Sequence, residues 1–495
     1  MIPKVIFIIT ILLLFYLAAT NYNFPFTHAQ SKENDKRVSY YDVPRNYPSR
    51  YNDPILKEPK VTTYVASQDI SDVIYLEKFD KNINIFEEGR APGPSTNDPN
   101  LMIERVFKGI NGSTNMAFLG TNDILVLEKV SGKVQRIVNG NMQEKPLIDL
   151  NSYEQDGLVG IATAKNQNGS TYVFVYFNEA PIKYGADVDN REEAERVNRT
   201  LGFDREGDRL YRYELMGDKL VNPKLLFDLP VPKPNVHLGG QHRGGEVIVG
   251  PEGAVYFVVG DLDGAKYKEK TRAQNFRDGT EPDGRAGILR VHQDGTPVGK
   301  GILGDTYPLN LYYAYGIRNS FGMDFDPVTG KLWDTENGPD YGDEINLVEP
   351  GFNSGAGMLE GPSTDTDKIE NLVDFAGKGK YSDPEFSWGK EGVPFTVGPT
   401  AIKFLDSDKL GRQYEEDMFV SDFNNGNIYH FDLNEDRTQI ILNGALKDKV
   451  ADKPEELESI IFARGFNGIT DLQVGPDGYL YVLSNGEIFR IVPKS

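Results

Sequence analysis

The stretch Gly245–Asp261, GEVIVGPEGAVYFVVGD, followed at Ala286–Gly295 by AGILRVHQDG, decides the fold. A Val/Ile-rich run meets a Gly-Pro-Glu-Gly turn, a second β-rich run follows, and a third comes after a longer excursion. β-branched and aromatic residues suit a pleated, half-buried surface, and Gly and Pro punctuate it. The same order recurs at Phe321–Asn337 with Asp343–Gly351, and at Asp471–Asn485 with Glu487–Val492. Weaker copies lie at Asn115–Lys129 with Lys133–Val138, at Gly157–Phe177 with Asp208–Leu215, and at Thr400–Asp422 with Gly426–Leu433. Unrelated hairpins in a sandwich would not repeat one order through six units. The sequence predicts an all-β, six-bladed β-propeller over residues 101–495.

In such a blade the first strand leaves one end and returns there through the second. Residues just before each first strand, and those just after each second strand, therefore gather at one mouth of the channel. On this reading the mouth collects Ser113-Thr114, Gln155-Asp156, His242-Arg243, Arg318-Asn319, Val397-Gly398 and Gly468 to Thr470. It also collects DTENGPDYGDEIN, Asp334–Asn346, which carries five carboxylates around a Gly-Pro break. That stretch reads as a solvated acidic loop, a calcium site or the rim of an active site.

The chain has 495 residues, no cysteine and a formal charge of −21. Disulfides, thiolate metal sites and cysteine nucleophiles are excluded, and the charge disfavours nucleic acid and anionic lipid as partners. Lys4 precedes an apolar run, Val5 to Ala19, and Thr27-His28-Ala29 follows. This predicts a signal peptide or membrane anchor over 1–29 and a secreted or extracytoplasmic destination. An extended polar leader and lead-in is expected over 30–100. Asn111, Asn168 and Asn198 begin glycosylation sequons.

Beyond the first 29 residues the histidines are His237, His242, His292 and His430. His292 and His430 fall in third strands and read as packing or surface residues. His242, in the glycine-rich HLGGQHRGGEV, reads as a general base, since a near-neutral pKa suits removal of a hydroxyl proton, ahead of transition-metal ligation together with His237. Arg318, in GIRNSFG, reads either as a cation stabilising negative charge at the mouth or as half of a structural ion pair. The spacing of the acidic stretch does not match an EF-hand loop, and DLDG at Asp261–Gly264 is similarly ambiguous.

The segments EQDGLVGIA (Glu154–Ala162), HRGGEVIVGPEGAVYFVVGD (His242–Asp261), Tyr315–Asn353 and VGPDGYLYVL (Val474–Leu483) resemble the soluble quinoprotein glucose/sorbosone dehydrogenase family. The resemblance runs from about residue 105 to the C-terminus. It implies a propeller that binds pyrroloquinoline quinone (PQQ) and Ca2+ and oxidises an aldose or related alcohol, passing electrons to an external acceptor. It implies that His242 is the base, that Arg318 polarises the cofactor, and that Gln155 and Asn319 contact it. The carbonyls of Gly338 and Pro339 match those that hold the catalytic calcium. Where the family grips the cofactor's carboxylates with a lysine and two arginines, this chain has Asn424, Gly468 and Thr470. At roughly 1.5–3 kcal/mol for each charged hydrogen bond, their loss weakens binding by about a hundredfold to a millionfold unless compensated. Arg464 lies near enough in sequence to be a substitute, and FNSGAG at Phe352–Gly357 replaces the family's aromatic turn. A calcium-dependent lactonase or esterase, and a non-catalytic glycan- or protein-binding propeller, are the alternatives.

Overall fold

The turns expected between β-rich runs form where glycine permits them. In the computed structural model Gly253 (φ +84°) and Gly478 (φ +81°) close the GPEG and GPDG turns, donating to the carbonyls of Gly250 and Gly475 at 2.8 Å each. Both lie in the left-handed region that other residues enter at a cost. The structure describes residues 93–150, 152, 157–166, 168–179, 207–230, 242–262 and 270–494. The segment read as signal peptide or anchor, most of the leader, Gln155, His237 and Asn198 lie outside the described residues.

Strand pairing gives a propeller in which six sheets are formed, antiparallel through their inner strands, with parallel pairs only toward the outside of the third and fourth. In chain order their first strands are Ser113–Gly120, Leu158–Lys165, Val247–Val249, Ser320–Phe325, Pro399–Phe404 and Ile469–Val474. These first strands touch one another in a closed cycle, the last against the first. Hydrogen bonds follow the same cycle. Thr114 Oγ1 donates to Leu158 O at 2.9 Å, Gly244 N to Asn319 Oδ1 at 3.2 Å, and Asn337 Nδ2 to Pro399 O at 2.9 Å. Thr400 Oγ1 donates to Ile469 O at 2.9 Å, and Met116 N to Asp471 Oδ2 at 2.8 Å.

Packing shows why both faces of each strand are apolar. In Val255–Val259, Val255, Phe257 and Val259 join the core against the second sheet, while Tyr256 and Val258 face the fourth. Trp333 and Trp388 of the fourth sheet are wholly buried against Ile402, Val420 and Tyr429 of the fifth. Met116 and Val126 of the first pack with Tyr481 and Leu483 of the sixth. Each such side chain contributes about 1.5–3 kcal/mol on burial.

The outer strand of the sixth sheet comes from the start of the described chain. Leu101–Lys108 pairs with Glu487–Pro493, Leu101 opposite Pro493 and Lys108 opposite Glu487. Ser95 and Thr96, within the stretch read as leader and lead-in, pair with Arg464 and Ala463 on the fifth sheet. Among the described residues, no helix is long and apolar enough to cross a membrane.

Candidate functional site

Gly260 brings the candidate chemistry together. It follows the strand Val255–Val259 and passes between two loop backbones. A Cβ there would lie 2.0 Å from the carbonyl oxygen of His242 and 2.8 Å from that of Arg318, so only glycine fits. Asp261 N donates to Arg318 O at 2.9 Å and Leu262 N to His242 O at 3.3 Å. His242 and Arg318, 76 positions apart in the sequence, thus flank one strand end.

His242 adopts φ +54°, and its Nδ1 lies 2.7 Å from Asp261 Oδ1. The carboxylate favours the tautomer with the proton on Nδ1 and leaves Nε2 with the lone pair a base requires. Its side chain is 11% exposed, so it is held but reachable. Sequence reasoning noted Asp261 only within the ambiguous DLDG stretch and missed it as the partner of His242. The signal was present: it follows a second strand, as the acidic stretch does in the next sheet.

Arg318 Nη1 donates to Asn337 O at 2.6 Å and to Gly338 O at 3.1 Å. Its backbone N–H binds Glu336 Oε1, and Glu336 Oε2 accepts from Ser354 Oγ at 2.6 Å. Burial pushes Glu336 up to about 7, opposed by the Ser354 hydroxyl and by Arg318. Burial likewise pushes Glu360 up to about 8, against the pull of Arg318. The guanidinium therefore sits in an acidic setting on an edge of backbone carbonyls.

The acidic stretch is not a solvated loop. Asp334, Glu336, Asp343 and Glu344 are buried, and only Pro339 and Asp340 are exposed between Asp334 and Asn346. Asp343 takes N–H donors from Gly338 at 2.9 Å, Val397 at 2.7 Å and Gly398 at 2.8 Å. It braces the Gly-Pro bend against the entry to the fifth sheet. Its carboxyl is still pushed up to about 6, because desolvation outweighs the three donors. At Gly338 a Cβ would fall 2.0 Å from Tyr341 O. The bend thus presents hard oxygen donors on an acidic background, and Arg318 already exploits that attraction for a cation. Calcium favours such donors, so the residues at Gly338 and Pro339 fit the ion by donor type.

Asn319 is buried, with its Oδ1 engaged by Gly244 N–H and its backbone carbonyl by Asn337 N–H at 2.9 Å. It ties the His242 loop to the acidic stretch. Asn424 is exposed, its N–H bound to Val397 O at 3.1 Å. Thr470 is buried, its hydroxyl donating to Leu483 O at 3.4 Å. A Cβ on Gly468 (φ +70°) would meet the Phe423 ring at 2.7 Å, so the Asn424 loop and Gly468 are neighbours. Arg464 does not replace the missing cations. It pairs with Glu458 at 2.9 Å on the strand Ile461–Arg464, the fourth from the first strand of its sheet. At about 4.8 Å between strands, that is roughly 14 Å from the sheet's inner edge. Exposed His292 follows the strand Gly287–Val291, away from His242.

A second charged cluster joins the first strands. Lys403 Nζ lies 3.6 Å from Glu246 Oε1 and 3.7 Å from Asp324 Oδ1, and donates to Met323 O at 3.3 Å. Asn115 Nδ2 donates to Glu246 Oε2 at 3.1 Å. Burial pushes Glu246 up to about 8, with Lys403 opposing, and pushes Asp471 up to about 7 by the same balance. One ammonium thus serves carboxylates from the third, fourth and sixth sheets.

The chain is 25% identical over 395 residues to aldose sugar dehydrogenase YliI of Escherichia coli, covering 77% of this chain and 90% of that one. Its fold is similar to that of the soluble aldose sugar dehydrogenase from Escherichia coli solved in the apo-form. The TM-score is 0.57 at 21% identity, over 80% of this chain and all of the other. The PQQ-bound aldose sugar dehydrogenase of Streptomyces coelicolor gives a TM-score of 0.53 at 19% identity, over 80% and 98% of the two chains. The Glucose / Sorbosone dehydrogenase family model matches residues 111–492, and the chain belongs to that family.

Proposed function

We propose that this protein is a PQQ- and calcium-dependent dehydrogenase that oxidises an aldose or related alcohol to the lactone or carbonyl product. The observation that carries the reading is the His242–Asp261 pair at 2.7 Å, set beside Arg318 by the glycine between them. Six sheets in a cycle are read here as six blades, with the site at one mouth of their channel.

The chain's own groups divide the work. His242 Nε2 takes the hydroxyl proton of the substrate, and Asp261 stabilises the imidazolium that forms, as a carboxylate behind a catalytic histidine does. The quinone, when bound, supplies the two-electron acceptor for hydride. Arg318 offers fixed positive charge where negative charge develops. The carbonyls of Gly338 and Pro339 would hold the calcium; Gln155 and Asn319 would contact the cofactor, with Asn424 and Thr470 on the far side. Without the family's lysine and arginines there, affinity for the quinone is weaker than the family norm. An external electron acceptor would be needed to regenerate the quinone. The apolar N-terminal run and the small residues after it support export, with tethering if the segment is retained.

The lactonase reading expects side-chain carboxylates to converge on an ion in the channel. Glu336 and Glu360 do gather near Asp261, but around the Arg318 guanidinium, so an assay separates the two readings. The test is reduction of a redox dye by full-length protein given Ca2+, PQQ and a panel of aldoses and alcohols. Dye reduction that disappears in His242→Ala supports the proposal. Ester hydrolysis without quinone would transfer the site to the lactonase, and quinone binding without turnover on any substrate would leave a binding propeller.

A further inference from the structure

His430, read from sequence as a packing or surface residue, belongs to a three-donor cluster away from the mouth. It lies on Ile428–Phe431, the third strand of the fifth sheet, paired with Met418–Asp422. The register sets Phe419 opposite His430 and Met418 opposite Phe431. Side chains alternate faces along a strand, so Asp417, two positions before Phe419, shares a face with His430 and Asp432. The spacing His-Phe-Asp on one strand and an Asp at the end of its neighbour therefore aims three ligand atoms at one point.

The distances agree. His430 Nε2 lies 2.8 Å from Asp417 Oδ2 and 3.6 Å from Asp432 Oδ1, and the three ligand atoms are all within 4.8 Å of one another. Tyr414, Phe419 and Phe462 surround the imidazole, with ring centroids 5.2, 5.1 and 6.4 Å from it. That packing fixes the ring plane and keeps Nε2 turned toward the carboxylates. Exposure rises across the cluster, with side chains 16% exposed at Asp417, 23% at His430 and 61% at Asp432. One side is anchored and the other is open to solvent, which gives an ion an entry path and room for water ligands.

We propose that Asp417, His430 and Asp432 form a binding site for a divalent transition-metal cation such as Zn2+. Zinc sits about 2.0–2.2 Å from imidazole nitrogen and carboxylate oxygen. A central ion then needs side-chain shifts of about 1 Å or less from the observed separations. One nitrogen donor with two carboxylates suits metals of the Mn2+ to Zn2+ series, whereas Ca2+ prefers an all-oxygen shell. Binding places the metal on the Nε2 lone pair of a neutral imidazole and releases to solvent any proton held there. The bound ion would clip the end of one strand to its neighbour on the outer part of the fifth sheet.

The experiment is a calorimetric titration of the full-length protein with Zn2+, with Ca2+ present throughout so that all-oxygen sites are filled. The expected result is one saturable site whose affinity falls at least tenfold in His430→Ala and in Asp417→Asn, together with a rise in melting temperature on adding Zn2+. Asp432→Ala changes the exposed member and does not disturb the aromatic packing, so its weakened binding separates ligation from misfolding. Equal Zn2+ affinity in wild type and Asp432→Ala, or no saturable binding by the wild type, overturns the site.

Discussion

The mouth and the Lys403 cluster are both charged assemblies drawn from several sheets, yet they are built for opposite purposes. At Lys403 the opposite charges face one another. Glu246, Asp324 and the ammonium lie between first strands, with Asp471 in the same field. At the mouth, His242 is fixed from behind by Asp261 and remains partly exposed in front. Arg318 is fixed by backbone carbonyls rather than by a paired carboxylate side chain. A cluster that turns its charges on itself holds the ring together. One that is braced from behind keeps a partly exposed face, which the proposed reaction assigns to a substrate.

The comparison predicts an exchange of phenotypes. His242→Ala should lower turnover by about 10²–10⁴-fold, the usual contribution of a positioned general base, with little change in melting temperature. Lys403→Met should do the reverse. It strands buried carboxylates at a cost of about 3–5 kcal/mol, read by denaturant unfolding, while folded protein keeps its turnover. If Lys403→Met left stability intact and removed activity, the two regions would have been assigned the wrong way round.

Titration reads the Lys403 cluster through one of its carboxyls. Glu246 rises from 4.5 to about 8 on folding and Asp471 from 3.8 to about 7, desolvation leading in both. The folded state then binds protons that the unfolded chain has released. Stability contributed by these groups is complete below about pH 4 and is lost as pH rises toward 8, by at most about 1.4 kcal/mol per pH unit per group. Unfolding curves from pH 5 to 8 should show that decline, and Glu246→Gln should flatten it. An unchanged slope in that variant would remove Glu246 from the cluster's titration.

Smaller effects test the edges. Asn424→Lys restores a cation beside the mouth and should tighten quinone binding by about tenfold to a hundredfold, one charged hydrogen bond's worth. No gain would show that residue 424 does not face the cofactor. Thr400→Val removes one bond between the fifth and sixth sheets, 2.9 Å to Ile469 O. It should cost about 1 kcal/mol, measured by equilibrium unfolding.

What the sequence disclosed was local. The GPEG and GPDG turns, the strand order and the placing of His242 and Arg318 before first strands follow from turn chemistry and alternation within short windows. Asp261 was equally local, but a single Asp after a strand looks the same whether it faces solvent or an imidazole. Lys403, Glu246, Asp324 and Asp471 meet only because the ring closes, and no window along the chain holds them together. Leu101–Lys108 was missed as an outer strand because its partner, Glu487–Pro493, lies at the other end of the chain. Arg464 shows the reverse error: nearness in sequence to Gly468 placed it beside the mouth, while three strands separate it from the inner edge.

The most direct test is a calorimetric titration of the full-length protein with PQQ in the presence of Ca2+, run beside His242→Ala. The expected result is saturable one-site binding by both proteins, with dye reduction on sugar addition by the wild type alone. Absence of quinone binding by the wild type would contradict it.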